Sequence, residues 1–547
     1  MAQTPPSPES PESAQSPESH FRVAKRGLSG ARTAAWLSGA RTAAWLPHAT
    51  ALVWLIVGAD LACSDNATPR ADSSATDPSA PPAMNADPSN GSTDPTATPT
   101  GNPTDAPSPV PPAGETDGYE GETPAALDPG ASGSTGVAAG GASAAAGAGA
   151  TAGGAAGAGS EGAGDVLEPD PGTLLGTATR PQLGESAAPQ FDVLQFLASA
   201  GNLTTGLVRD NWDPTGGVGD VASFSADFRV AASGGTHTSV QAAVTAAASA
   251  GGTERRFVEV AAGTYREVVC VPGNAPPITL YATNADASQT VIVFDNYSGK
   301  PKAAGTSANP CNPNTNGTTF GTSGSATFAA FAPEFHAKNL TFVNDTDETT
   351  ATGGVQGVAL MGQGDRQIYE NVRVLGNQDS LFLKTPDVTT VQRAYFKGCF
   401  VEGDTDFIFG RSTFVLDGCT IRSLTSRTAN GVVLAPSTDS RNFFGILVTR
   451  STFTADATAG ASSTSLGRAW DESQVDVPTY TANVQSGVFP NGQAVVREST
   501  LGLHIQSTTP WRAAATTSRP YASVDGAVPA NRFYEFGNTG PGAAPAP

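Results

Sequence analysis

Six short segments in the second half of the chain share one alternation of apolar and polar positions. They are FHAKNLTF (335–342), QIYENVRV (367–374), AYFKGCFV (394–401), FVLDGCTI (414–421), ILVTRSTF (446–453) and AVVRESTL (494–501). Alternation over eight residues is the pattern of a half-buried strand, because successive side chains point to opposite faces. The first four also carry Asn or Gly at the fifth place. The equivalent inward positions are Leu340, Val372, Cys399, Cys419, Ser451 and Ser499, at intervals of 32, 27, 20, 32 and 48 residues. Such spacing suits a solenoid whose coils differ in loop length, since each coil buries its apolar side only against its neighbours. No amphipathic helical pattern of comparable length separates the strands, which disfavours an alternating β/α fold. The pattern predicts an all-β fold, a right-handed single-stranded parallel β-helix, with a capping helix over 238–250.

Counting forward from the repeat brings out two carboxylates. Asp379 lies seven residues after Val372, and Asp406 lies seven after Cys399. Equivalent positions on adjacent coils would stack them on one face, and like charges that close do not ionise independently. One then serves as proton donor and the other as nucleophile. Aspartates also cap turns between coils, and spacing alone leaves the two readings even. Arg468 can hold a carboxylate bidentately, and Trp470 can stack on a sugar ring; taken singly, each reads equally as a surface ion pair or a packing residue. Gln356 stands 22 residues before Gln378, so their amides could approach from successive coils and donate to an oxyanion. A lone Gln is usually just solvated.

Composition alters the picture at the amino-terminal end. Residues 1–185 are dominated by Ala, Gly, Pro, Ser and Thr, with few aromatics after Trp54. Such a segment cannot bury enough apolar surface to offset the entropy of ordering. Lys25, Arg26, Arg32 and Arg41 precede an apolar run at 49–59, then Asp60, Leu61, Ala62 and Cys63. A basic region, a short apolar region and small residues make an export signal, too short for a membrane span of about 20 residues. The cysteine directly after Leu61 and Ala62 resembles a bacterial lipoprotein signal. Lipid on Cys63 would then anchor the protein at the cell envelope, in the outer membrane; plain secretion is the alternative. The expected organisation is an export signal (1–63), a disordered Pro/Thr/Gly/Ala-rich tether (64–185), a lead-in (186–226) and the β-helix (227–547).

Net charge is −20 with a pI of about 4.6, which argues against nucleic acid as a partner. The remaining cysteines are Cys270, Cys311, Cys399 and Cys419. No CxxC pair or Cys/His cluster offers a metal site. Cys399 and Cys419 fall at one position of adjacent coils, about 4.8 Å apart in a sheet, close enough for a disulfide to be expected; two stacked free thiols are the other reading. Cys270 with Cys311 is the remaining pairing.

The motifs resemble those of the pectin methylesterases. GTYRE (263–267), VQGVAL (355–360), NQDSLFL (377–383), GDTDFIFG (403–410), LGRAW (466–470) and YEFGNTGPGA (534–543) match that family in order and spacing, over about 227–543. The stretch 191–214 looks like the lead-in of the family's lipoprotein branch. The resemblance implies a β-helical aspartyl esterase without metal or cofactor, a monomer acting on methyl-esterified pectin or oligogalacturonates. In it Asp406 is the nucleophile, Asp379 the general acid and base, Gln356 and Gln378 the oxyanion donors, and Arg468 the group that orients Asp406. Trp470, Phe409 and Thr405 would line the sugar subsites. Ala469 stands where the family usually has Pro, and Asp404-Thr405 where Thr-Val is common. Asp404 is thus a third nearby carboxyl, able to shift the pH optimum or to face solvent. The competing readings are a glycosidase or lyase on the same scaffold, an acyl-CoA thioesterase, and a non-catalytic carbohydrate-binding surface protein. A Ser-His-Asp hydrolase is disfavoured, because His237, His336 and His504 lie in no nucleophile motif.

Overall fold

The structure, a computed structural model, describes residues 168–307, 311, 317–428, 430–456, 460–522 and 528–545. All belong to the second of the two units into which the chain divides, Ser108–Pro547. The expected export signal of 1–63, with Cys63, and the tether up to residue 167 lie outside the described residues.

Each predicted segment begins a coil. His336–Lys338, Gln367–Glu370, Arg393–Lys397, Thr413–Asp417, Ile446–Thr449 and Gln493–Arg497 stack in parallel within a first sheet. The chain then turns into a second sheet containing Thr341–Asn344, Arg373–Leu375, Phe400–Gly403, Thr420–Ser423, Thr452–Ala455 and Thr500–Leu501. A third sheet holds Leu360–Gly362, Leu381–Leu383, Ile408–Gly410, Gly431–Pro436, Thr464–Trp470 and Trp511–Ala515, after which the chain returns to the first. These sheets are a right-handed single-stranded parallel β-helix.

The fifth place of the repeat is the turn from the first sheet to the second, and its conformation explains its composition. Asn339, Asn371, Gly398 and Gly418 all have left-handed backbones, with φ of 61°, 50°, 59° and 64°. Asn and Gly adopt that region most readily. Arg450 (φ 49°) and Glu498 (φ 51°) hold it in the last coils, where the Arg450 side chain is tied to Asp417 at 2.9 Å. The next position is the inward one, and the register is as read: Thr341 pairs Arg373, Arg373 pairs Phe400, Phe400 pairs Thr420, and Thr420 pairs Thr452, which pairs Thr500. Buried hydroxyls are tolerated here because each coil's N–H donates to the next side chain. Cys419 donates to Ser451 Oγ (3.0 Å), Ser451 to Ser499 Oγ (3.1 Å) and Ser499 to Asn538 Oδ1 (3.0 Å).

Cys399 and Cys419 belong to this ladder, and the expected disulfide between them is absent: both are free, buried thiols. Cys399 N–H donates to Cys419 Sγ at 3.3 Å, while the Cys399 thiol donates to the Tyr369 carbonyl at 3.3 Å. Stacked side chains of a parallel ladder point the same way, whereas a disulfide needs its Cβ vectors to converge. Among the described residues, the disulfide that forms is Cys270–Cys311.

The predicted cap is the helix Val240–Ser249. Its Ser239 hydroxyl accepts from Ala242 N, and the Glu267 carboxylate accepts from Val240 N (2.8 Å) and Gln241 N (2.9 Å), satisfying donors with no intrahelical partner. Val240, Ala243, Val244 and Ala247 close that end of the core. The lead-in lays Phe191, Phe196 and Leu197 on the outer face of the first sheet, against Ile368, Tyr395, Val415, Leu447 and Val495. It is pinned by Arg393, 1% exposed, which reaches the Leu197 carbonyl (2.8 Å), Asp210 (2.7 Å) and Asp365 (2.8 Å). Residues 168–185, assigned by composition to the tether, differ from that reading. Arg180–Gln182 pairs with the last strand, Arg532–Phe536, and Arg180 forks onto the buried Glu535 at 2.8 and 2.7 Å.

Candidate active site

The turn from the second sheet to the third carries the two aspartates. Leu381 pairs with Ile408 and Asp379 N–H donates to the Thr405 carbonyl at 3.1 Å, so Asp379 and Asp406 are in register on neighbouring coils. Strands in such a ladder are about 4.8 Å apart. Both residues are left-handed, φ 68° and 47°, a region Asp enters more easily than most residues. Both are fully buried. A turn cap alone would sit in water; two stacked, dehydrated carboxylates call for another purpose.

Arg468 supplies the countercharge. It stands on Thr464–Trp470, two coils beyond Asp406, and its guanidinium donates to Asp406 from Nε at 2.9 and 3.2 Å and from Nη2 at 2.7 Å. A bidentate fork fixes the carboxylate plane as well as balancing its charge.

The glutamines flank this pair. Gly357 N–H donates to the Gln378 carbonyl at 3.2 Å, placing Gln356 and Gln378 on successive coils, staggered by one residue. Gln356 is buried and its Nε2 contacts Thr322 Oγ1 at 3.4 Å; Gln378 is half-buried. A Cβ at Gly354 would meet Gln356 Oε1 at 2.8 Å, so glycine there leaves room for the amide. Ser298 N–H donates to the Gln356 carbonyl (2.9 Å) and Gly299 N–H to Gly354 (2.7 Å). The strap containing them is the one that Cys311 ties to Cys270.

Outward side chains of the third sheet form an apolar row: Cys270, Ala329, Met361, Phe382, Phe409 and Ala435, with Trp470 partly buried against it. Phe382 and Phe409 stack at 4.2 Å and 6°, and Trp470 stands edge-on to both at 6.1 and 5.7 Å. Phe409 is fully buried, so it supports the indole from beneath, and Trp470 is the ring that offers surface to a ligand. Thr405 is half-exposed beside the acids, and its carbonyl holds Asp379.

Asp404 does not face solvent. It is 5% exposed and accepts from Arg427 Nε at 2.9 Å, while Arg427 Nη2 reaches Glu348 at 2.5 Å. Burial and Asp404 push the Glu348 carboxyl above its ordinary range, opposed by Arg427 and by hydrogen bonds from the Gln378 backbone and the Asn377 side chain. Glu348 therefore grips the loop that carries Gln378. Neither Glu348 nor Arg427 was legible in the sequence, since 79 residues separate them and no motif joins them. Arg512, opposite Arg468 in the third sheet, was missed for the same reason.

Chemically, the site offers a buried carboxylate oriented by an arginine, a second carboxyl beside it, amide donors at one flank and an aromatic floor. That set suits acyl transfer: a nucleophile, a proton carrier, and donors for a developing oxyanion. Comparison with known proteins points the same way. The family model "Pectinesterase" matches residues 227–498. A pectinesterase of Ralstonia solanacearum is 47% identical over 372 residues, covering 67% of this chain and 92% of that protein. A putative acyl-CoA thioester hydrolase of Escherichia coli strain K12, YbhC, is 30% identical over 417 residues, covering 69% and 91%. Among solved structures, that of rice weevil pectin methyl esterase aligns with a TM-score of 0.55 at 31% identity, covering 68% of this chain and 99% of the other.

Proposed function

The chain belongs to the pectinesterase family of carboxylic ester hydrolases, and on that premise we propose that it converts the methyl esters of pectin to free carboxylates and methanol. The observation that carries this reading is the in-register, fully buried pair Asp379 and Asp406 with the Arg468 fork on Asp406.

In the proposed reaction an Asp406 oxygen attacks the ester carbonyl of a galacturonate unit, and the carbonyl electron pair moves to oxygen. Amides of Gln356 and Gln378 donate to that oxyanion. As the tetrahedral species collapses, Asp379 gives its proton to the departing methoxyl oxygen, and methanol leaves. The acyl group is then an anhydride on Asp406. Asp379, now ionised, takes a proton from water, whose oxygen attacks the acyl carbon and returns Asp406 as a carboxylate. One water is consumed per methanol released. Arg468 holds the Asp406 plane toward the substrate throughout, Trp470 packs on a sugar ring, and Thr405 borders the same subsite.

A second reading, thioester hydrolysis, is favoured by the relation to YbhC, because the same steps cleave an acyl thioester. The test is methanol release from methylated pectin without chain shortening, set beside thiol release from acyl-CoA by the same preparation. Methanol without shortening supports the esterase; shortening indicates a glycosidase or lyase, and thiol release alone indicates the thioesterase. We further propose that the protein works as an exported monomer held at the cell envelope by lipid on Cys63, a reading supported by the basic, apolar and small-residue run before that cysteine. Mass spectrometry of the mature amino terminus tests it: an acylated Cys63 is expected, and an unmodified or uncleaved terminus overturns it.

A further inference from the structure

Next to Trp470 in the chain stands half of a buried ion pair that the proposed reaction does not use. Asp471 directly follows Trp470, and Arg519 forks onto its carboxylate from Nε and Nη2, each at 2.8 Å. Both side chains are fully excluded from solvent. Thr517 Oγ1 also donates to Asp471 at 2.6 Å, and the other Arg519 contacts are to the Asn531 side chain and the Pro529 carbonyl. The guanidinium lies 4.3 Å from the centre of the Tyr480 ring, on the helix Val477–Ser486 that follows Asp471. Burial pushes the Asp471 carboxyl above its ordinary range, and Arg519 and Thr517 oppose that push.

Stability alone is a poor reason for this arrangement. Taking two charges out of water often costs more than their attraction returns, and apolar side chains of similar volume frequently serve as well. The chain also bends sharply to make the pair. After Trp511–Ala515, Thr517 N–H donates to the Ala515 carbonyl (2.8 Å), Ser518 N–H to the Ala514 carbonyl (3.1 Å) and Ala514 N–H to the Arg519 carbonyl (2.9 Å). Thr516 and Ser518 are left-handed in this reversal, with φ of 68° and 58°. A β-branched residue in that region is strained and persists only where its surroundings fix it. The same strand is bulged against Thr464–Trp470: Arg468 pairs with Arg512 and Trp470 with Ala515, so two steps on one strand oppose three on the other. Bulges re-aim the side chains beside them. Bulge, strained turn and buried pair converge on one place, the end of the strand that presents Trp470.

We propose that Asp471 and Arg519 are positioning residues, which act through Trp470 by fixing the pitch of its indole against Phe382 and Phe409. The indole meets those rings edge-on at 6.1 and 5.7 Å, so a small rotation of its backbone changes the surface it offers. A bidentate fork fixes direction as well as distance, and on Asp471 it holds the residue before it in one orientation. Arg468, two residues earlier, is set separately by its three contacts with Asp406. The pair therefore governs the binding of the sugar chain more than the chemical step. The inference rests on the esterase reading, in which Trp470 packs on a sugar ring.

The test measures kcat and KM for methanol release from methylated oligogalacturonates by two variants, each alone and combined with Trp470→Ala. Arg519→Lys keeps the charge and loses the fork; Thr517→Val removes one donor to Asp471 and keeps the ion pair. Melting curves fix a temperature at which the variants compared are folded. With Trp470 present, Arg519→Lys should raise KM about tenfold and Thr517→Val about threefold, with kcat within about twofold of wild type. In the Trp470→Ala background neither should raise KM further, because effects that pass through one group are not additive. A pair that serves only the fold leaves KM unmoved in the folded variants, or shifts it equally in both backgrounds, and either result overturns the inference. Should Arg519→Lys fail to fold, Thr517→Val decides by the same criteria. A wild type that releases no methanol overturns instead the esterase reading on which the inference rests.

Discussion

The Cys270–Cys311 disulfide ties a surface strap to the third sheet, and its removal should be felt both in stability and at Gln356. The bridge closes a sequence separation of 41 residues. For a loop of that length, the chain-entropy relation gives a denatured-state constraint of about 13 cal/mol/K, or about 4 kcal/mol at 25 °C. Cys270 is buried and Cys311 only half-buried, so Cys270→Ala with Cys311→Ser removes the bridge without placing a hydroxyl in the core. At about 2 °C per kcal/mol for a domain of this size, the melting temperature should fall by about 8 °C. Function should respond as well, because the strap carries the Ser298 and Gly299 donors that hold Gln356 and Gly354 at 2.9 and 2.7 Å. In the proposed mechanism Gln356 is an oxyanion donor; deleting such a donor outright costs about 10²- to 10³-fold in kcat, and loosening its support should cost less, about tenfold. Calorimetry and methanol-release kinetics on the double variant, and on wild type with and without reductant, give both readings. A melting temperature within about 2 °C of wild type, together with unchanged kcat, would refute the link.

Other consequences are open to measurement. Arg393→Met leaves Asp210 and Asp365 without their shared cation and should cost about 3 kcal/mol; proteolysis should then cut the lead-in first, and an unchanged cleavage pattern would count against its pinning role. His336 and His504 are lowered to about 3 and about 4, mainly by burial, so in the folded state they stay neutral. A depressed histidine contributes stability above its unfolded value of about 6.5 and loses it as pH falls toward the folded value. His504 Nε2 has no hydrogen-bond partner among the described residues, and its displacement corresponds to at most about 3 kcal/mol. Melting temperature should therefore decline between about pH 6.5 and pH 4, and His504→Leu should flatten that decline; an identical slope in the variant would contradict this. Trp470→Ala should raise KM on oligogalacturonates more than it lowers kcat, since in the proposed mechanism the indole packs on a sugar ring away from the reacting atoms; an equal KM would remove it from the proposed subsite.

The coil register was open to sequence reading because a β-helix is written locally. Each eight-residue segment alternates by itself, and its turn demands Asn or Gly, so Val372, Cys399, Asp379 and Asp406 fall into line by counting. What was hidden depends on side-chain direction or on partners far apart. Cys399 and Cys419 share the expected ladder, but parallel Cβ vectors leave their thiols stacked and unbonded. Arg180 looked like part of a tether because composition cannot show that Glu535, 355 residues on, is buried beneath it. Glu348, Arg427 and Arg512 sit in loops or strands whose mutual approach depends on the length of every intervening coil. Phe409 has the residue type of a sugar platform, and only packing shows that Trp470 lies over it.

The central assignment is Asp406 as nucleophile. The most direct test is methanol release from methylated pectin by wild type and by Asp406→Asn, a variant that keeps the side-chain shape and a contact for Arg468, with melting curves showing both folded. Loss of the nucleophile should lower kcat at least about a thousandfold while the variant still melts cooperatively. A folded Asp406→Asn enzyme releasing methanol within about tenfold of the wild-type rate would contradict the assignment.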